Sequence, residues 1–199
     1  MIDPTFHRAP QLITDKVFAL YELHGDEDYI GEPVSQLEHM AQAALLAKEE
    51  GYDDEVVLAA FFHDIGHLCA AEGEAESMDG LGNVDHEKLG AEYLLNLGFS
   101  SRVASLVQSH VVAKRYLTFK YPDYYNKLSP ASKGTLEFQG GVMTAEEAAA
   151  FEANPDKDLI IRFRHWDDEA KLQNLPVSNV PELKQMTIKH LAAQLSERH

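Results

Sequence analysis

The segment that most constrains this chain is AAFFHDIGHLCA, residues 59–70, in which three polar side chains interrupt a dense apolar run. Such a run is typical of buried core, yet it contains His63, Asp64 and His67. A charged carboxylate is expensive to bury unless a cation compensates for it. We therefore expect Asp64 to meet a metal ion or another cation inside the protein.

Apolar residues elsewhere recur mostly at helical spacing, and the alternating patterns typical of strands are scarce. The spacing predicts a first helix over 11–23 and a second that begins at Pro33 and stops at Gly51. Asp53 or Asp54 is expected to cap a central helix, EVVLAAFFHDIG, that is apolar on nearly every side.

Further helix signals follow along the chain. Ser100 or Ser101 is expected to cap one helix, and Ser129 followed by proline to start another. Thr144 and Glu147 fit a capping box, whereas the acidic, Gly-rich stretch 70–85 is expected to be a loop. In total we predict eight or nine helices and an all-α fold.

Length and composition limit the possible partners. The 199 residues predict an N-terminal extension, 1–24, that is helical and packs on a main domain, 25–199. The net charge of −16 argues against nucleic acid and anionic membranes, which need a basic surface, but does not exclude a small anion. No apolar run reaches the roughly 18–20 residues of a membrane span. With no signal-peptide pattern and one cysteine, Cys69, we expect a cytoplasmic protein.

Five of the ten histidines lie on apolar helix faces, namely His39, His63, His67, His86 and His110. One such histidine alone is more often a core residue than a ligand. Five of them beside a buried aspartate favour a metal site, because neutral imidazole is the commonest side-chain metal ligand. The two oxygens of Asp64 can bridge two ions. His67, four residues after His63, is either a ligand or a residue that faces the substrate.

The ordered set His39, His63-Asp64, His86, His110 and Asp167 resembles the dinuclear members of the HD-domain superfamily. The segments DYIGEPVSQLEH, HEKLGAEYL, SHVVAKRYL, LSPASKGTLEFQGG and RHWDDEAK look like those of the HD-domain mixed-valent diiron oxygenases of the PhnZ/TmpB type, from organophosphonate catabolism. One departure is Ser109, where the family motif has glycine.

The resemblance implies an HD-domain helical bundle with a dinuclear metal site at its centre. It implies two iron ions, Fe(II) and Fe(III), with O2 as co-substrate and no evident partner protein. The implied substrate is a 1-hydroxy-2-(amino or trimethylammonio)ethylphosphonate, with the state of the amine left open. Cleavage of its C–P bond gives phosphate and glycine or glycine betaine.

The resemblance also implies residue roles. One iron is held by His39, His63, Asp64 and Asp167, and Asp64 bridges to a second iron completed by His86 and His110. The phosphonate-binding positions are His67, Lys114, Ser132, Thr135 and Arg164. Tyr29 can occupy the open iron position when substrate is absent, and Glu32 faces the amino end of the substrate.

Each of the substrate residues also has a simpler interpretation. Lys114 could belong to a solvated basic helix end, and Ser132 could cap a helix or face solvent. Arg164 could pair with Asp167 or Asp168. Tyr29 and Glu32 could be ordinary loop residues.

Two other functions fit parts of the pattern. An HD-type phosphohydrolase would use the same ligands to activate water against a phosphate ester, without O2 and with other divalent metals. A metal-free HD signalling module usually lacks ligands, whereas all six are present here.

Overall fold

Eleven helices make up the computed structural model, which describes residues 10–29, 31–70 and 85–197. Across these ranges the only extended pairing is an isolated bridge between Asp28 and Ser35, so the predicted all-α fold is confirmed. Most of the predicted loop 70–85 lies outside the described residues. The helices are α1 Pro10–His24, α2 Gln36–Glu49, α3 Asp54–Phe62, α4 Ile65–Ala70, α5 His86–Leu97, α6 Ser101–Lys120, α7 Pro122–Lys127, α8 Pro130–Phe138, α9 Ala145–Glu152, α10 Lys157–Glu169 and α11 Val180–Glu197.

The second helix does not begin at Pro33, and that prediction was wrong. Ser35 is the N-cap of α2, because its side chain accepts the backbone N–H of Glu38 at 3.2 Å. The Glu38 carboxylate in turn accepts the backbone N–H of Ser35 at 2.7 Å. This capping box satisfies two backbone donors at once and places the N-cap two residues after the proline.

Other helix starts agree with the sequence signals. Asp53, Ser100 and Ser129 cap α3, α6 and α8 through their side chains. Thr144 and Glu147 form the expected capping box of α9. The two additional helices are α4, which the sequence did not separate from α3, and the short polar helix α7.

The apolar helix α3 lies at the centre of the bundle. It packs against α2, α6, α10 and α11, and all of its residues from Val56 to Phe62 are buried. Phe61 stacks on Phe18 and Tyr21 of α1, with ring centroids 5.4 and 4.7 Å apart. Each aromatic ring buried in this way contributes several kcal/mol of apolar transfer, on the order of 25 cal/mol per Å². The C-terminal end of α3 is therefore rigidly held.

Helix α1 packs on the rest of the bundle. It contacts α11 and buries Ile13, Val17 and Phe18 in the common core. Residues 1–9 are outside the described part of the chain, and the boundary at residue 24 stays a prediction. Among the helices described, none combines the length and the apolar character that crossing a bilayer requires.

Candidate metal centre

The central histidine and aspartate lie at a break between two helices. Helix α3 ends at Phe62 and α4 begins at Ile65, so His63 and Asp64 form the turn between them. The prediction of one continuous helix through these residues was wrong. Adjacent residues of a regular helix point about 100° apart. At this break, the Nε2 of His63 and the Oδ2 of Asp64 lie 3.4 Å apart.

A glycine allows this turn to reach the next ligand. A Cβ atom added to Gly66 would lie only 1.9 Å from the backbone oxygen of His86. Only a residue without a side chain therefore lets α4 approach the start of α5 this closely. The contact brings His86 beside the turn that holds Asp64.

The first ligand group joins three helices. His39 of α2 and His63 point their Nε2 atoms at each other across 3.0 Å. The Oδ1 atom of Asp167, on α10, lies 3.4 Å from the Nε2 of His39 and 3.9 Å from that of His63. All three side chains are buried, and together they could hold one metal ion.

The opposite ring nitrogens fix the tautomers in this group. The Nδ1 of His39 donates to the Ala170 carbonyl at 2.9 Å, and that of His63 to the Ala60 carbonyl at 2.8 Å. Both Nε2 atoms then carry lone pairs, which repel each other at 3.0 Å unless a cation or proton lies between them. A metal ion is the cation that imidazoles oriented in this way usually bind.

The second ligand group lies on the other side of Asp64. His86 of α5 and His110 of α6 also face each other through Nε2 atoms 3.0 Å apart. The Nδ1 of His110 donates to the Val107 carbonyl at 2.7 Å, and the Nδ1 of His86 lies 3.6 Å from the Glu87 carboxylate. The two pairs therefore share facing Nε2 atoms, and His110, like His39 and His63, donates through Nδ1 to a backbone carbonyl.

Asp64 joins the two groups through its separate oxygens. Its Oδ2 lies 3.4 Å and 3.6 Å from the Nε2 atoms of His63 and His39. Its Oδ1 lies 3.2 Å and 3.3 Å from those of His86 and His110. Burial alone would raise the pKa of the Asp64 carboxyl, but the surrounding imidazoles hold it well below its usual range. The carboxylate is therefore anionic and placed to bridge two ions.

The donor set fits two metal ions. Asp167 Oδ1 is buried and has no hydrogen-bond partner among the residues that the structure describes, which is costly unless a cation satisfies it. Four imidazoles and two carboxylates form a nitrogen and oxygen set that suits iron, and these six side chains include no thiolate. The six residues predicted as ligands are thus brought together in one buried cluster.

His67 lies beside the second group. Its ring stacks on that of His86, with centroids 4.0 Å apart, and one of its nitrogens is close enough to share an ion with Asp64 and His86. Burial lowers the pKa of His67 to about 3, so the ring is neutral. This position is compatible with both alternatives, a ligand or a residue that faces the substrate.

The predicted phosphonate residue Lys114 is buried, so it does not belong to a solvated helix end. It is 3% exposed, and its Nζ donates to the Thr135 hydroxyl at 2.8 Å. Within the described ranges no carboxylate forms an ion pair with it. Burial, together with the charge of Arg164, lowers the pKa of Lys114 to about 7. A desolvated ammonium without a counter-ion favours an anionic ligand.

Thr135 and Ser132 lie near the start of α8. The hydroxyl of Thr135 donates to the Ser132 carbonyl at 3.2 Å, and the Ser132 N–H donates to the capping Ser129 at 3.1 Å. Ser132 itself is half-buried. Helix starts of this kind favour anions.

Arg164 pairs with both neighbouring aspartates. Its guanidinium, which is buried, donates to Oδ2 of Asp167 and to Asp168, and its Nε donates to the Tyr124 hydroxyl at 3.0 Å. The Tyr124 hydroxyl donates in turn to Asp168 at 2.6 Å. Arg164 therefore holds a ligand carboxylate in place.

Tyr29 and Glu32 are not ordinary loop residues. The Tyr29 ring stacks on that of His39, with centroids 3.9 Å apart. Burial, together with the charges of Asp64 and Asp167, raises the pKa of Tyr29. Glu32 is nearly buried and pairs with Lys171 at 2.8 Å.

Two residues of this region were missed at the sequence level. Tyr124 supports Arg164, and Lys171 partners Glu32. Lys171 is the last residue of RHWDDEAK, next to Ala170, whose carbonyl orients His39. Its place in this motif was the only sequence signal for Lys171, because no local pattern indicates that it pairs with a residue 139 positions away.

Comparison with known proteins agrees with this geometry. Residues 36–137, just over half of the chain, match the family model described as HD domain. The chain belongs to the HD-domain family. The matched range contains five of the six residues predicted as ligands, and Asp167 lies beyond it.

This HD-domain protein is also similar to curated relatives. It is 40% identical to a [1-hydroxy-2-(trimethylamino)ethyl]phosphonate dioxygenase (glycine-betaine-forming) of Leisingera caerulea, over 91% of this chain and 93% of the relative. It is 40% identical to a hydroxymethylphosphonate dioxygenase of Gimesia maris, over 84% of each chain. A protein of Acanthamoeba polyphaga mimivirus is 40% identical over 88% of this chain and 80% of its own length. The resemblance inferred from sequence is thereby confirmed.

Proposed function

We propose that this protein is a mixed-valent diiron oxygenase that cleaves the C–P bond of a 1-hydroxyphosphonate. The observation that carries the proposal is the buried ammonium of Lys114, which has no carboxylate partner in the described structure and accompanies a buried cluster of four histidines and two aspartates. Two relatives at 40% identity are named as phosphonate dioxygenases, which supports the same chemistry.

In this proposal His39, His63 and Asp167 hold one iron, His86 and His110 hold the other, and Asp64 bridges them. Three protein ligands leave the second ion with open positions. A hydroxyl and a phosphonate on one carbon suit two adjacent open positions. The two irons, one ferrous and one ferric, would supply O2 activation and the electron transfers of the reaction.

The phosphonate would be bound by the cationic side of the site. Lys114 supplies the charge, Ser132 supplies a hydroxyl donor, Thr135 supplies another once its hydroxyl turns from the Ser132 carbonyl, and His67 faces the substrate from α4. Arg164 uses three of its five N–H donors on Asp167, Asp168 and Tyr124. Its remaining donors can reach a phosphonate oxygen while the residue keeps Asp167 in place.

The substrate we propose is a 1-hydroxy-2-(amino or trimethylammonio)ethylphosphonate. Tyr29 covers the centre in the absence of substrate, and Glu32 faces the cationic end. One O2 and one such phosphonate give one phosphate and one glycine or glycine betaine, a balance that needs no external reductant. The cytoplasmic location and the division into 1–24 and 25–199 stay sequence-based predictions.

The decisive experiment gives iron-loaded protein both hydroxylated phosphonates, with and without O2, and measures phosphate release and O2 uptake. We expect release only with O2, with one O2 consumed per phosphate. Lys114→Met should lose most of this activity, whereas Lys120→Met, an exposed lysine of the same helix that pairs with Glu152, should keep it. If neither phosphonate reacts while a phosphate monoester is hydrolysed without O2, the protein is a phosphohydrolase instead.

A further inference from the structure

Lys171 forms an ion pair with Glu32, the residue that we propose faces the amino end of the substrate. Its Nζ lies 2.8 Å from Oε1 of Glu32, and the two side chains are only 16% and 10% exposed. The same Nζ lies 5.9 Å from the centre of the Tyr29 ring. A carboxylate and an aromatic face are the two groups that bind organic ammonium ions in proteins. Lys171 therefore occupies, with its own ammonium group, the position beside Glu32 and Tyr29 where a cationic ligand would otherwise bind.

The backbone that carries Lys171 is fixed to α2 on both sides. The preceding residue, Ala170, accepts the Nδ1 proton of His39 at 2.9 Å. The following residue, Leu172, exchanges two hydrogen bonds with the Gln42 side chain, at 2.9 and 3.0 Å. The position of Lys171 is thus tied to the helix that carries a predicted metal ligand.

Glu32 lies in a tight turn that also positions Tyr29. The Glu32 N–H donates to the Tyr29 carbonyl at 2.9 Å, and the Tyr29 N–H donates to the Val34 carbonyl at 3.0 Å. Gly31, at φ +76°, lets the turn contact α8, because a Cβ atom there would lie 2.8 Å from that of Ala131. The turn therefore holds Glu32 and Tyr29 against the same wall of the site.

We propose that Lys171 is a specificity-determining residue that disfavours hydroxyphosphonates with a cationic amine relative to those without one. This inference rests on the proposed function. A substrate ammonium gains the Glu32 carboxylate only by breaking the Lys171 pair and then lies near a second positive charge. A substrate without a cation, such as hydroxymethylphosphonate, leaves the pair intact. The Lys171–Glu32 pair therefore lowers the affinity for a cationic substrate relative to one without a cation, and it adds no affinity for either.

The experiment compares wild type with Lys171→Met on 1-hydroxy-2-aminoethylphosphonate and hydroxymethylphosphonate, mixed in one reaction. Phosphorus NMR of the mixture gives the ratio of the two kcat/KM values directly. We expect the ratio to shift toward the aminated substrate by roughly tenfold. Without Lys171 the nearly buried Glu32 carboxylate has no cationic partner, so it binds the substrate ammonium more favourably. Anaerobic titration calorimetry should show the same shift in the ratio of the two dissociation constants.

Three further variants isolate the charge pair. Lys171→Arg keeps the positive charge and should keep the wild-type ratio. Lys171→Met combined with Glu32→Gln should give the ratio of Glu32→Gln alone, because Lys171 acts through Glu32. Lys48→Met removes a lysine from an exposed pair with Glu182 and should change neither ratio. Equal melting temperatures would show that the variants are folded.

The outcomes separate the two proposals. An unchanged ratio in Lys171→Met, in a wild type that releases phosphate with O2, overturns the role of Lys171 and leaves the oxygenase proposal standing. If wild type cleaves neither phosphonate, the oxygenase proposal fails. The ratio of the two dissociation constants from calorimetry then still tests whether Lys171 selects against the cationic ligand. Equal ratios in wild type and Lys171→Met would overturn the role of Lys171.

Discussion

Arg164 donates to the Oδ2 atom of Asp167, and the other oxygen of that carboxylate is buried without a hydrogen-bond partner in the described part of the chain. The free oxygen is the one that faces the Nε2 atoms of His39 and His63. The arginine therefore acts on the centre through the orientation of a ligand. Arg164 can therefore pair with Asp167 and still lie near the phosphonate, as predicted, because the aspartate it orients belongs to the same centre.

Replacing Arg164 should weaken metal binding. In Arg164→Gln the Asp167 carboxylate loses the donor that fixes it, and loss of such a partner typically costs about 10–100-fold in metal affinity. The measurement is the iron retained per chain after competition with a chelator. Arg162→Gln, on the same helix but paired with Glu50, is the matched control and should retain its iron. Equal retention in both variants would show that Arg164 does not orient Asp167.

The close approach at Gly66 should make this position intolerant of any side chain. In Gly66→Ala, the added Cβ would meet the His86 carbonyl and force α4 and α5 apart, at a cost of about 2–4 kcal/mol in unfolding free energy. Displacing His86 should also reduce the metal content. Gly51→Ala is the control, because its Cβ would meet nothing and only its φ of +81° costs about 1 kcal/mol. Similar urea midpoints for the two variants would contradict the steric argument.

Local signals were enough to predict most of the bundle. Capping residues such as Asp53, Ser129 and Thr144 act within three positions of themselves, so the sequence reveals them directly. The clustering of the predicted ligands could also be anticipated, because histidines and a buried aspartate on apolar faces are expensive without a compensating cation. Pro33 misled the prediction, since a proline and a capping box two residues later compete for the same helix start.

Features that depend on contacts distant in sequence could not be predicted. The break between α3 and α4 depends on the approach of α5 to Gly66, which no periodicity contains. The pair of Glu32 with Lys171 joins residues 139 positions apart. Both residues lie in segments that resemble the family, but the sequence does not show that they pair. The pair changes the charge that a substrate would meet.

Metal binding should stabilise the fold. Without a cation or proton between them, the Nε2 lone pairs of His39 and His63 repel each other, and Asp167 Oδ1 has no hydrogen-bond partner among the described residues, so an ion that binds only the folded chain raises its stability. At a free metal concentration of 100 times Kd, one site contributes about 2.7 kcal/mol. Differential scanning calorimetry should show a melting temperature that rises with added iron and falls with chelator. The shift should vanish in Asp64→Asn, which affects both groups, and persist in Asp123→Asn, an exposed aspartate. A wild type insensitive to iron would argue against both sites.

The ammonium of Lys114 should limit activity at high pH. Burial lowers its pKa to about 7, so the cationic form that attracts a phosphonate is present below that pH and is lost as pH rises through it. The kcat/KM of the wild type should therefore fall with rising pH above about 7, since this parameter reports the free enzyme. Arginine stays charged throughout this range, so Lys114→Arg should lose the decline even if its maximum is lower. Titration of the phosphonate is common to both proteins, and parallel declines would exclude Lys114 as the titrating group.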